Sequence, residues 1–200
     1  MANQGTLLVA LAEAYGTASG VASSKPVDTR ANAAFRGKVR ARISRTELAN
    51  NALANVGGLT IYGSNLPSLQ KGTDAQEFRG EDGATGRTVF TSALTYVANS
   101  NYNWICILNG TVLVYGSGAG KFQISNSSGV AVCTLGTAAA VGDKLELYYV
   151  VPTSLYSFAD GEITHKTVDF QGYDMLWLVL DSTATPSLTN CYVTPVAAAA

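Results

Sequence analysis

Short runs of strand-forming residues recur from about residue 87 to the end of the chain, and they limit the possible folds more than any other feature. Val, Ile, Leu, Tyr, Phe and Thr fill these runs, and Gly, Asn or Asp separates most of them from the next. Such a series predicts an antiparallel β-sandwich with a jelly-roll-like arrangement. The predicted strands are residues 88–98, 102–108, 111–115, 121–125, 129–135, 144–151, 162–170, 175–180 and 190–196.

Two stretches refine this mainly β prediction. Residues 175–180 read MLWLVL, and an apolar run without alternation is typical of a strand that is buried on both faces. Asn109-Gly110 stands between two predicted strands, where this dipeptide is the strongest short signal for a hairpin turn. The sequence therefore predicts one deeply buried strand and at least one tight hairpin.

Residues 115–121 read YGSGAGK, which is similar to a phosphate-binding loop in its final Gly-Lys. That loop also needs a glycine five positions before Gly120 and a hydroxyl residue after the lysine, where this chain has Tyr115 and Phe122. A phosphate loop opens a helix, whereas residues 121–125 alternate between polar and apolar as a strand does. We therefore expect a connection between strands and no nucleotide or other cofactor.

Charge is distributed unevenly along the chain. Residues 25–45 carry seven bases and one acid, whereas residues from 91 onward carry three bases and seven acids. Within the basic stretch, bases occupy alternate positions, which gives one basic face if the backbone is extended. The predicted partner-binding residues are Phe35, Arg36, Lys38, Arg40, Arg42 and Arg45.

A basic face of this kind favours an acidic partner. Three partners remain open: nucleic acid, the acidic body of a neighbouring subunit, or the acidic surface of another protein. Nucleic acid is disfavoured because only one aromatic residue, Phe35, accompanies the bases. A fourth interpretation needs no partner, since charges on an edge strand also discourage aggregation.

The sequence predicts two regions. Residues 1–45 are expected to form an extended N-terminal tail and basic arm, in which the small residues of 5–24 become ordered only on a partner. Residues 46–200 are expected to form the sandwich body. One short helix is predicted at 44–54 from its capping-box spacing, and a mobile loop at 69–87 from its glycines and charges.

Composition excludes several classes of protein. Charged residues make up only 14% of the chain, compared with about a quarter in typical domains. Such a low content of charge is suited to a subunit of a larger assembly. Cys106, Cys133 and Cys191 are odd in number and far apart, so we expect neither a disulfide framework nor a metal site. Cys106 and Cys133 lie in apolar strand-like runs, where we expect small buried side chains. No apolar stretch reaches the roughly 18 residues of a membrane helix.

The sequence offers little for catalysis, and we expect no enzyme. His165 is the only histidine, and no Gly-x-Ser-x-Gly nucleophile motif occurs. Two possible pairs of carboxylates are Asp160 with Glu162 and Asp169 with Asp174. Such pairs can hydrolyse sugars only at a defined separation, and acids in the turns of a sandwich are usually just solvated.

Two stretches carry a resemblance to a known family. Residues 141–147, VGDKLEL, and residues 169–176, DFQGYDML, resemble the closing strands of complement-type and tumour-necrosis-factor-like trimeric jelly rolls. In that family a Gly-Asp turn enters one strand, and Phe-x-Gly followed by an aromatic residue enters the last. The resemblance implies a jelly roll over roughly residues 88–181 and a homotrimer.

The order of the regions resembles that of tailed-phage virion proteins such as capsid decoration proteins and short fibre heads. This second resemblance implies a virion protein, assembled in the host cytoplasm, that binds the major capsid protein or another virion protein and stabilises the capsid. The alternative that it leaves open is a trimeric fibre-like head. In such a head, exposed loops that include residues 69–87 recognise a glycan or a host receptor.

Overall fold

The structure is a computed structural model of the 200-residue chain. It describes residues 7–9, 22–23, 25–31, 40–45, 59–69, 74–79, 86–98, 103–158, 164–169, 172–180 and 191–196.

The described residues form strands and turns without an α-helix, which confirms the mainly β prediction. In chain order the strands are β1 Leu7–Val9, β2 Ala22–Ser23, β3 Val27–Asp28, β4 Arg40–Arg45, β5 Leu59–Ser64, β6 Ala75–Arg79, β7 Arg87–Thr95, β8 Trp104–Leu108, β9 Thr111–Val112, β10 Val114–Tyr115, β11 Lys121–Ser127, β12 Val130–Ala139, β13 Lys144–Tyr149, β14 Thr153–Phe158, β15 Thr164–Asp169, β16 Met175–Leu180 and β17 Cys191–Val196. Except for the pair β10 and β11, neighbouring strands run antiparallel.

The chain divides into two compact units. The first combines Met1–Ser64 with Pro152–Ala200, and the second consists of Asn65–Val151. The first unit contains sheet A, with the strand order β1-β17-β4-β15, and sheet B, with the order β14-β5-β16-β2 and β3 also paired to β16. The second contains sheet C, ordered β6-β13-β8-β9, and sheet D, ordered β10-β11-β12-β7.

Sheets C and D face each other across one apolar core. Leu145 and Leu147 of sheet C and Phe90 and Phe122 of sheet D are almost completely buried in it. The Phe78 ring meets the Phe90 ring edge-on, with the ring centroids 5.4 Å apart. Each such side chain contributes roughly 1.5–3 kcal/mol when it leaves water. The second unit is thus a small β-sandwich in its own right.

The two sheets are joined at each side of this sandwich, on one side by the chain and on the other by a hydrogen bond. On one side the chain passes from β9 of sheet C to β10 of sheet D through the buried Leu113, whose N–H donates to the Cys106 carbonyl. On the other side the Gln76 side-chain oxygen accepts a hydrogen bond from the Ala93 N–H at 2.6 Å, which occupies a donor on β7.

Sheet B is built around β16. Met175, Leu176 and Trp177 are consecutive and all buried, so β16 is covered on both faces, as its apolar sequence predicts. Its neighbour β5 passes close beneath an aromatic ring. A Cβ added at Gly63 would lie 2.5 Å from the Tyr173 ring, so only glycine fits there without rearrangement.

Several sequence predictions differ from the structure or lie outside it. The mobile loop predicted at 69–87 contains β6, which pairs with β13 along its whole length. Ser44 and Arg45 of the predicted helix belong to β4, and residues 46–54 lie outside the described residues. Local propensity was overridden in both cases by pairing with strands distant in sequence.

The region predicted as tail and arm, residues 1–45, contributes four strands where it is described. β1 and β4 belong to sheet A, and β2 and β3 pair with β16 of sheet B. An extended arm is not what these described parts form. The boundary between 45 and 46 itself stays a prediction, while compactness divides the chain after Ser64 and before Pro152.

Candidate functional site

Three of the predicted partner-binding residues lie in a strand. Arg40, Arg42 and Arg45 belong to β4, whereas Phe35, Arg36 and Lys38 lie outside the described residues. The backbone of β4 is extended, as the alternating bases require. Because positions alternate between the faces of a strand, 40 and 42 share one face of sheet A and 45 falls on the other.

β4 is an inner strand, hydrogen-bonded to β15 on one side and to β17 on the other. The edge-strand interpretation of these bases is therefore wrong for residues 40–45. In the register, Arg40 stands opposite Asp169, and Arg42 stands opposite Thr167 and Thr194. Since both edges of β4 are already paired, sheet A can offer a partner a face at this strand but no free edge.

The glycine-rich segment makes a complete loop between two strands that run in the same direction. β10 and β11 are parallel neighbours, with Val114 beside Lys121, and only five residues connect them. Parallel neighbours normally need a crossover of a dozen residues or more. The short connection depends on positive φ angles at Gly116, Gly118 and Gly120, which L-residues with a side chain rarely adopt.

This loop is seated on β12. The Gly116 N–H donates to the Phe122 carbonyl at 2.8 Å, and the Lys121 N–H donates to the Gly118 carbonyl at 3.2 Å. A Cβ built at Gly136 of β12 would lie 1.7 Å from the same Gly118 oxygen. The loop leads into strand β11 and not into a helix, which confirms the prediction that it connects strands.

The outer face of sheet D, opposite its core face, has no charged residue at ten positions of β7, β11 and β12, although Arg87 and Lys121, the first residues of β7 and β11, continue the same alternation at one end. Alternation and register place ten residues there: Val89, Thr91, Ala93, Thr95, Gln123, Ser125, Ser127, Val130, Val132 and Thr134. Seven of the ten are exposed, so most of this surface faces solvent in the single chain. We call it the uncharged face. No motif marked it in advance, but the alternation in residues 88–95 would have predicted one side of it.

Sheet C presents a charged outer face instead. Glu77 and Glu146 stand directly opposite each other, an arrangement that repels unless a cation lies between. The Lys144 Nζ is this cation. It forms ion pairs with Glu146 and, at 3.1 Å, with Glu77. Hydrogen bonds to Glu146 and Glu77 raise the pKa of the Lys144 ammonium. One ammonium therefore lies between two carboxylates, which leaves a net charge of −1 among these three side chains.

Cys106 and Cys133 are both fully buried free thiols, as the sequence predicts. Cys106 lies in β8 of sheet C and Cys133 in β12 of sheet D, and both belong to the shared core. Burial raises the pKa of the Cys106 thiol well above its usual range, and the neighbouring Cys133 thiol raises it further. Nothing in the sequence indicates that the two thiols share one core.

Of the candidate catalytic residues, the structure describes His165, Asp169 and Asp174. His165 lies in β15 opposite Ser44, and Asp160 and Glu162 lie outside the described residues. Within the part of the chain that the structure describes, no group of three or more His, Cys, Asp or Glu side chains is placed to hold a metal ion. The same part has no helix long and apolar enough to span a membrane.

The two stretches that resemble the trimeric jelly rolls fall in different units. Residues 141–147 form a turn at Gly142 and enter β13 in the second unit, whereas residues 169–176 lead into β16 in the first. β17 follows β16, so β16 is not the last strand. No protein-family model matches the chain, and no curated protein sequence is significantly similar to it.

Proposed function

We propose that the protein is a structural virion protein that binds and stabilises a phage capsid as a homotrimer, without catalysing a reaction. Its partner would be the major capsid protein or another virion protein, and its location the virion. The observation that carries this proposal is the uncharged face of sheet D. Support also comes from the low content of charged residues in the whole chain.

The uncharged face suits packing against a second copy of the chain. Flat sheet faces with short side chains can pack closely, and charged residues are depleted at the centre of protein interfaces. Thr91 and Ala93 occupy exposed positions in it, where a charge would improve solubility if the face stayed in water. The contrast with the ion-paired face of sheet C within the same unit favours an interface on sheet D.

The basic stretch suits a second contact, with an acidic capsid surface. Arg40 and Arg42 occupy one face of an inner strand, so they are held at a fixed spacing by pairing on both sides. Arg36 and Lys38 continue the same alternation in the sequence. A row of cations at strand spacing complements acidic side chains on a partner, and it steers association more than it adds affinity.

Light scattering after size-exclusion chromatography tests the oligomer. We expect the wild type to elute with three times the mass of one chain and Thr91→Lys, which buries a charge in the trimer interface, to elute as a monomer. Thr111→Lys is the matched control, because Thr111 is exposed in β9 of sheet C. A monomeric wild type would contradict the homotrimer, and a trimeric Thr91→Lys would exclude the uncharged face as its interface.

The competing function, a fibre-like head, predicts binding to a glycan or host receptor through loops that include residues 69–87. Within that segment residues 75–79 are committed to pairing with β13, which leaves less of it for recognition. A glycan array separates the two functions. Specific glycan binding by the trimer would favour the head, and binding to capsids without glycan binding would favour decoration.

A further inference from the structure

The core of the second unit contains two cysteines on opposite sheets. Cys106 faces inward from β8, where it stands opposite the buried Leu147. Cys133 faces inward from β12, where it stands opposite Ile124 and Phe90. Both residues are 0% exposed, and both belong to the same cluster of core side chains. They therefore approach each other across the space between the sheets.

The two thiols share one buried core, in which both are inaccessible to solvent. The Cys133 thiol contributes to the raised pKa of the Cys106 thiol, which is consistent with this placement. Between them 26 residues of chain leave sheet C, complete the loop at 116–120 and return along β12 of sheet D. A bond between these sulfurs would tie together segments that the backbone connects only through a long path.

We propose that Cys106 and Cys133 are the two halves of a disulfide that links sheet C to sheet D when the protein is oxidised. An inter-sheet disulfide through the core is an established way of fastening a β-sandwich, as in immunoglobulin domains. The bond requires Cα atoms about 4.4–6.8 Å apart, whereas stacked sheets are typically about 10 Å apart, so the bond would draw β8 and β12 together at these two residues. Neither cysteine needs to leave the core to form it.

The reaction needs a small oxidant, and hydrogen peroxide is suitable. One thiolate attacks peroxide and becomes a sulfenic acid, releasing water after proton transfer. The second sulfur then attacks the sulfenic sulfur, and a second water leaves. The two thiols lose two electrons and two protons in total, and one peroxide is reduced to two waters. Burial and the scarcity of thiolate make the first step slow in the folded protein.

The proposal of a disulfide does not depend on the proposed virion function. The stage at which the disulfide forms would, however, follow from that function. A virion protein is made in the reducing host cytoplasm, where thiols stay reduced, and it meets oxidising conditions only after release. The bond would then close in the assembled particle and fasten the sandwich after folding is complete. This timing rests on the proposed function, whereas formation of the bond can be measured on the purified chain alone.

Peptide mapping without reduction tests the bond directly. The purified full-length protein is incubated overnight with hydrogen peroxide or with a reductant, blocked with a thiol reagent and digested. We expect a linked pair of peptides that contain Cys106 and Cys133 in the oxidised sample only, and an intact mass lower by two hydrogen atoms. Cys191→Ser is the matched control and should keep the link, and Cys133→Ala should lose it.

Thermal melting supplies a second readout on the same samples. A cross-link that closes a loop of this length should raise the melting temperature of the oxidised protein by about 10 °C relative to the reduced protein. Reductant should reverse the shift. Two free thiols at 106 and 133 after peroxide treatment that fully oxidises free cysteine would overturn the proposal, as would a link from either residue to Cys191 instead.

Discussion

Replacing Gly136 by alanine places a methyl group where the backbone of the glycine-rich loop lies. The new Cβ would be 1.7 Å from the Gly118 carbonyl oxygen and 2.4 Å from its carbon, whereas ordinary contacts begin near 3.4 Å. Backbone atoms cannot rotate away as the end of a side chain can. The loop therefore has to move by roughly 1.5 Å or more, and it moves toward solvent because Gly118 and Gly136 are both exposed.

The cost follows from what that movement breaks. The Gly118 carbonyl accepts from Lys121, and Gly116 donates to Phe122, so one or two backbone hydrogen bonds are strained at about 1 kcal/mol each. Backbone strain in the displaced loop adds about 1–3 kcal/mol. We expect Gly136→Ala to lower the free energy of unfolding by about 2–4 kcal/mol in total. For a unit of this size that corresponds to a fall in melting temperature of roughly 10–20 °C.

Urea unfolding and thermal melts followed by circular dichroism measure this effect, and two variants separate its causes. Gly118→Ala meets no atom within 4 Å but retains a φ of +106°, so it should cost only about 1–2 kcal/mol of backbone strain. Ser117→Ala, exposed in the same loop, should change stability by less than about 0.5 kcal/mol. If Gly136→Ala melts like the wild type, the loop does not rest on β12 and this reasoning fails.

Three further substitutions test other features. Lys121→Ala should leave the melting temperature unchanged with or without ATP and Mg²⁺, because a solvated lysine contributes less than about 0.5 kcal/mol. If ATP instead raised the melting temperature of the wild type and the substitution abolished that shift, the loop would be a nucleotide site. Arg40→Glu places a like charge opposite Asp169, so it should lower the free energy of unfolding in urea by about 0.5–1 kcal/mol more than Arg42→Glu does. Both substitutions should weaken cosedimentation with capsids. Equal free energies of unfolding for the two variants would contradict the register of β4. Burial raises the pKa of Asp28, but the hydrogen bond and charge of Arg30 and two backbone N–H groups outweigh it and lower that pKa below 3.8. The stability that this carboxylate contributes is present above pH 3.8 and is lost as the pH falls through the pKa of the folded state. Asp28→Asn should therefore reduce the acid-dependent loss of unfolding free energy by at most about 1 kcal/mol. Identical acid unfolding curves for the variant and the wild type would exclude this contribution.

The strands of the second unit were largely predictable because their signals are local. Alternation and turn residues predicted strands at 88–98, 121–125 and 144–151, and the structure has β7, β11 and β13 there with small differences at the ends. The apolar run of β16 likewise predicted burial on both faces. Side-chain period and turn chemistry act over a few residues, so a single sequence carries them.

Pairing between segments that are distant in the sequence could not be predicted in this way, because it has no local sequence pattern. Leu7 of β1 pairs with Val193, and β6, which reads AQEFR among glycines and charges, becomes a strand only beside β13. The proximity of Cys106 and Cys133 arises in the same way, from two sheets that pack face to face. Such features depend on tertiary context, which overrides local propensity, and composition alone does not reveal it.

The two candidate surfaces, the basic face of β4 and the uncharged face of sheet D, also combine local features with features that depend on pairing. The alternating bases predicted an extended β4, and residues 40–45 are extended, but the sequence did not indicate that β4 has neighbours on both sides. The uncharged face becomes visible only when β7, β11 and β12 are placed side by side. Each strand contributes three or four of its residues, too few to mark a surface before the register is known.

Electron microscopy of phage particles prepared with and without this protein tests the proposed function most directly. We expect added density on the outside of capsids that carry the protein, arranged as trimers, and greater resistance of those capsids to heat. Arg42→Glu should reduce the density, and Thr91→Lys should disrupt its threefold form. Particles that are indistinguishable with and without the protein, or density confined to a tail fibre, would contradict a role in capsid decoration.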